Sequence, residues 1–150
     1  MMFKTHLAIG IFAIILFLPI VSDVFIFVPI ALAASVLPDI DTNFSKVGKS
    51  KPAKVVQVFT EHRGFLHSLT ICILISLLLA VFLPVAAFGF FLGYSLHLIS
   101  DSFTKMGITP FWPYSKKAQG FISTGGVTEK TIFVIFVFID IIAFAVLMLK

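Results

Sequence analysis

Five apolar stretches, at about 7–21, 24–37, 66–82, 85–103 and 131–149, leave this 150-residue chain few folding options. A backbone placed in hydrocarbon must satisfy its own hydrogen bonds, and a helix does so within a single segment. Hydrophobic residues make up 59% of the chain and charged residues 12%, against roughly 25% charged in soluble domains. The reading is an integral membrane protein, all-α, with a single domain over 1–150. Its expected architecture is a polytopic membrane helical bundle of about five transmembrane or re-entrant segments.

The first two segments fall short of the ~20 residues of a full span. They fit two short crossings, a re-entrant hairpin or one long kinked helix. Thr5 is placed to cap the first, Ser22-Asp23 breaks it, and Pro38 ends the second. Pro84 separates the third from the fourth by so few residues that they should form an antiparallel helical hairpin. The apolar start is not read as a cleaved leader, since Pro19, Asp23 and Pro29 interrupt it. Cys72, the single cysteine, lies in an apolar run and reads as a packed small residue.

The formal net charge is +4, but no basic helix accompanies it, and nucleic acid is not an expected partner. All the Lys and Arg except Lys150 fall at Lys4 or in the two polar stretches, 39–65 and 104–130. The positive-inside rule then puts the N-terminus and both stretches on the cytoplasmic side, in a multi-pass topology. Within the second stretch, Trp112 and Tyr114 sit among Pro110, Pro113, Lys116 and Lys117, the composition of an interfacial loop. The residues carry no signature of a particular oligomeric state.

That topology gathers the polar chemistry on one face. His6 opens segment one, and Asp39 and Asp41 follow segment two. His62 and His67 precede or open segment three, while His97 and Asp101 close segment four. His97 and Asp101 stand four residues apart, so a helix presents them side by side. The plain alternative for them is a buried pair that satisfies itself. Asp39 and Asp41 follow a proline break and can both turn inward; alternatively they form a solvated helix exit. Gly64 allows a break between His62 and His67, so either histidine can ligate or orient a ligand. Arg63 is placed to clamp a phosphate or simply to anchor the loop. Asp140 lies deep in segment five, away from the cluster.

Imidazole and carboxylate together suit zinc, manganese or iron rather than calcium. Four His and two or three Asp exceed what one catalytic zinc needs, so a divalent transition metal is expected, zinc first, with two or more ions. No nucleophile elbow, phosphate-binding glycine loop or C-x-x-C pair is present.

Thr5-His6-x-x-x-Gly10, Leu37-Pro-Asp-Ile-Asp41, His62-Arg-Gly-x-x-His67-Ser68 and Gly93-x-x-x-His97-x-x-x-Asp101-x-x-Thr104-x-x-Gly107 occur in that order. In this the chain resembles the YdjM-like, LexA-regulated, inner-membrane metal-dependent hydrolases, with the likeness running to about Pro113. That family is similar, more distantly, to the zinc-dependent phospholipase C and P1 nuclease group. The resemblance implies a metal-dependent hydrolase and favours a phosphoester bond.

The expectation is therefore a membrane-embedded enzyme using metal-activated water at the cytoplasmic interface. Metal ligands are His6, Asp39, His67, His97 and Asp101; Asp41, His62 and Arg63 are the further catalytic candidates. Membrane lipid is the partner, and a phospholipid or lipid-linked phosphate is the substrate class. The alternatives are a transporter of divalent cations or lipid-like solutes, without hydrolysis, and an interaction protein with a closed structural metal site.

Overall fold

The computed structural model describes residues 1–41 and 65–149, and all their side chains except those of Ile40 and Asp41. Among the described residues the chain is all-helical, with five α-helices and no strands beyond two isolated bridges. The helices are α1 (Phe3–Phe17), α2 (Val24–Ala34), α3 (Leu69–Phe82), α4 (Pro84–Ser102) and α5 (Val127–Met148). Short 3-10 turns at Leu37–Asp41 and Phe65–His67 flank the undescribed stretch. Among the described helices, only α5 is both long and apolar enough to cross a membrane by itself.

Local sequence accounts for most boundaries. Asp23 caps α2, its carboxylate accepting the Ile26 N–H at 3.1 Å. Ser68 caps α3 in the same way, accepting from Ile71 N–H at 3.3 Å. Pro84 occupies the first turn of α4, where its missing N–H costs nothing. Thr5 is not a cap. Helix α1 begins at Phe3, with Met2 in extended conformation, and Thr5 is buried inside the first turn. Helix α5 likewise starts four residues before the apolar run, bringing Glu129 into its first turn.

Gly10 of α1 faces Ser35 beyond α2 while Ile14 packs with Phe27 and Ala31, so α1 and α2 are two antiparallel helices rather than one kinked rod, and the helices on either side of Pro84 also pack together. Helix α4 is the centre: it packs against α2, α3 and α1, while α5 packs on α1. Gly89 and Gly93 let α4 lie directly on the α2 backbone. A Cβ at Gly93 would stand 2.2 Å from the Ala31 carbonyl oxygen, closer than any side chain tolerates. Around this core, Phe27, Ala31, Tyr94 and Leu98 are fully buried. Outward faces of α3 and α5 stay apolar and exposed, from Leu74 and Leu77 to Phe138 and Ile141. A patch on that scale marks a surface made for something other than water.

Candidate metal centre

Five of the eight residues singled out from sequence meet at one end of the bundle. His6 comes from the first turn of α1, Asp39 from the turn after α2, and His67 from the turn before α3. His97 and Asp101 come from the last turns of α4. All five are at most 5% exposed. His62 and Arg63 lie outside the described residues. Asp41 ends its 3-10 turn, and its side chain is likewise outside them.

Distances define a compact donor set. Asp101 stands between two imidazoles, with Oδ1 3.3 Å from His6 Nε2 and Oδ2 3.7 Å from His67 Nε2. Asp39 Oδ1 is 3.8 Å from His97 Nε2. The His6 and His97 rings stack at 3.8 Å with 12° between planes, and His67 meets His97 nearly edge-on at 5.4 Å. Two triads, His6–Asp39–His97 and His67–His97–Asp101, each keep their donor atoms within 4.8 Å of one another. Ligand bonds of about 2.0–2.2 Å to zinc place two donors roughly 3.3–3.6 Å apart across a tetrahedron; the carboxylate–imidazole separations of 3.3, 3.7 and 3.8 Å start in that range and run slightly above it. The Met1 amino group also reaches Asp101 Oδ1.

Hydrogen bonds set the tautomers. A carbonyl oxygen only accepts, so the 2.9 Å contact to Ser35 O puts the His97 proton on Nδ1. Ser100 Oγ lies 2.8–2.9 Å from the Leu96 and His97 carbonyls, which take its proton, and so accepts from His6 Nδ1–H at 3.0 Å. Both histidines therefore present a bare Nε2 to the centre. Among the described residues neither of those nitrogens has a hydrogen-bond partner, although each is buried. Tyr94 hydroxyl donates to the Leu66 carbonyl, fixing the turn that carries His67. Burial lifts the Asp39 carboxyl above the ordinary carboxylate range, against the opposing pull of His6.

Two carboxylates and bare imidazole nitrogens, all desolvated, fit a cation. The set carries more acceptor capacity than the Met1 ammonium at Asp101 offsets, and burying carboxylates without paired positive charge is costly. Its N/O character suits zinc, manganese or iron.

Ser100, the Ser35 carbonyl, Tyr94 and Glu129 were not apparent in the sequence. Ser100 carried a signal, since it is three residues from His97 and so borders the same face. Any residue offers a carbonyl, so Ser35 carried none. Glu129 accepts from the Met2 and Gly125 N–H groups, binding the start of α5 to the start of α1.

A family model described as "YdjM inner membrane protein" matches residues 1–149. The chain is 30% identical over 118 residues to the "Uncharacterized protein YvsG" of Bacillus subtilis (strain 168), covering 71% of this chain and 73% of that one. It is 38% identical over 98 residues to the "Inner membrane protein YdjM" of Escherichia coli (strain K12) and to that of Shigella flexneri. Those matches cover 57% of this chain and 48% of each relative, about half their length. No solved structure matches.

Proposed function

The chain belongs to the YdjM inner membrane protein family, and from that premise we propose a membrane-embedded, metal-dependent hydrolase acting on phosphoesters of lipids or lipid-linked substrates. The observation that carries this reading is the convergence of His6, Asp39, His67, His97 and Asp101, with the Nε2 atoms of His6 and His97 bare and buried. In this proposal these five residues hold a divalent ion, zinc first. When bound, such an ion supplies Lewis-acid polarisation of a phosphoryl oxygen and a more acidic water.

The protein's own groups do the rest. Ser35 and Ser100 hold two imidazoles in one tautomer and one orientation. Asp101, between His6 and His67, offers one carboxylate oxygen beside each of their Nε2 atoms. The five helices are proposed to cross or re-enter the bilayer with the donor end at the cytoplasmic face, where the lysines gather. At that depth a lipid phosphate is the available ester. Transport is the weaker proposal, because transport sites lie near the bilayer midplane and these donors sit at helix ends.

One observation favours a second reading. All five donors are buried, as in a closed structural site that binds metal without turnover. A single experiment separates the two. Protein purified without added metal is analysed for transition metals, then tested against phospholipids and lipid-linked phosphates. The hydrolase reading expects bound zinc, manganese or iron and phosphate release that His97→Ala abolishes. Bound metal without turnover supports the structural site; protein that neither retains nor takes up a transition metal overturns both.

A further inference from the structure

The segment that leaves the ligand helix is tied into a closed ribbon over residues 103–122, by a parallel bridge between Thr104 and Ile122 and an antiparallel one between Ile108 and Ala118. Lys105 N–H donates to the Ile122 carbonyl at 2.9 Å, and Ile122 N–H to the Phe103 carbonyl at 3.0 Å. Farther out, Ile108 and Ala118 exchange both backbone bonds at 2.9 Å. Gly107 makes the bend at φ +64°, where a Cβ would lie 2.4 Å from the Ala118 carbonyl oxygen.

Both ends of the ribbon are fixed. At the base, Thr104 Oγ1 donates to the Asp101 carbonyl at 2.7 Å. Near the tip, the Pro110 carbonyl accepts from Leu69 N–H at 2.8 Å, and Trp112 meets Phe65 edge-to-face at 5.0 Å. Its backbone geometry is thus specified, and so is what it presents.

It presents aromatic rings and lysines. Phe111 is 60% exposed, Trp112 41%, Tyr114 75% and Phe121 76%, and Lys105, Lys116 and Lys117 are exposed beside them. From Thr104 to Thr128 the sequence contains no Asp or Glu, so nothing on the ribbon itself neutralises the lysines. Exposed rings in this number are unfavourable in water. Trp and Tyr are favoured at the headgroup level of a bilayer, where one side of the ring is apolar and the other wet. Lysines at that level are drawn to anionic lipid within a Debye length. Chemistry and charge both fit one occupant.

We propose that this ribbon is a binding surface for anionic phospholipid headgroups. Phe111, Trp112, Tyr114 and Phe121 seat at the headgroup boundary, and Lys105, Lys116 and Lys117 take the lipid phosphates. Because the ribbon starts two residues after Asp101, it also sets the depth of the donor cluster at that boundary. The inference goes beyond the hydrolase reading and needs no bound metal.

Trp112 is the single tryptophan of the chain, so its fluorescence reports the ribbon alone. The full chain is reconstituted in phosphatidylcholine vesicles brominated either high or low on the acyl chain, with and without phosphatidylglycerol. Stronger quenching by the high label is expected. Lipid adducts measured by native mass spectrometry should favour phosphatidylglycerol over phosphatidylcholine. That preference should fall by on the order of fivefold per lysine in Lys116→Gln and Lys117→Gln. Quenching only by the low label, or only by an aqueous quencher, would overturn the proposal. So would a lipid preference that both substitutions leave unchanged. Metal content, measured on the same preparations, should be equal in wild type and variants. Its absence throughout would count against the metal centre and leave the lipid result standing.

Discussion

Ser100 and Ser35 show how much of the centre depends on atoms that never touch its middle. His97 Nδ1–H is committed to the Ser35 carbonyl and His6 Nδ1–H to the Ser100 hydroxyl, leaving one nitrogen each for the cation. Partners of this kind typically contribute about 10–100-fold in metal affinity. Ser100→Ala should weaken zinc binding by that order with little loss of fold, because the deleted hydroxyl otherwise bonds only to carbonyls of its own helix. Isothermal titration of zinc into chelated protein, beside a thermal melt, checks it. Equal affinity in the variant would mean that His6 is oriented by packing alone. His97→Ala makes the sharper case. It removes the one residue common to both triads, and bound metal should fall below detection in elemental analysis.

At the level of elements, the spacing of His97 and Asp101 was fully legible, since a continuous helix forces i and i+4 together. Legible too were the breaks at Asp23 and Pro84, where capping and a missing N–H act locally. The ends of α1 and α5 were misjudged by four residues. Both helices run past the apolar stretch because tertiary contacts of Met2 and Glu129 hold turns that hydropathy alone would leave as loop. Which face of α4 meets α2 was also hidden, as it depends on where two backbones touch. Gly93 marks that contact. With the Ala31 carbonyl 2.2 Å from any added Cβ, Gly93→Val must push α4 away from α2. Overpacking of this kind costs about 1–3 kcal/mol. It should also carry His97, one turn further on, out of reach of the Ser35 carbonyl. The variant is expected to melt lower and to lose zinc, whereas Phe91→Ala, on an exposed side of the same helix, should keep its metal. Retention of full zinc affinity in Gly93→Val would show that the donor end is held without this contact.

Across the whole molecule, the donors come from four separate places: the start of α1, the turns beside α2 and α3, and the end of α4. An ion bound by all of them joins elements that are otherwise linked through the packing of α4. Any ligand that binds the folded state and not the unfolded one stabilises it by RT ln(1 + [L]/Kd), about 2.7 kcal/mol at a hundredfold excess over Kd. Stripping the protein with a chelator in detergent should therefore lower its melting temperature, and zinc should restore it as its concentration rises past Kd. Acidification should weaken the effect, since protons compete with the ion for imidazole and carboxylate ligands. Helix α5 gives the internal contrast. It is attached through α1 and the Glu129 contacts to Met2 and Gly125, and it supplies none of the five donors. Glu129→Ala should lower the melting temperature of chelated and zinc-loaded protein by similar amounts, because it weakens a joint outside the centre. His97→Ala should instead melt at one temperature whether zinc or chelator is present. A chelator-insensitive melt of the wild-type protein would mean that the donor cluster holds no ion in the folded state.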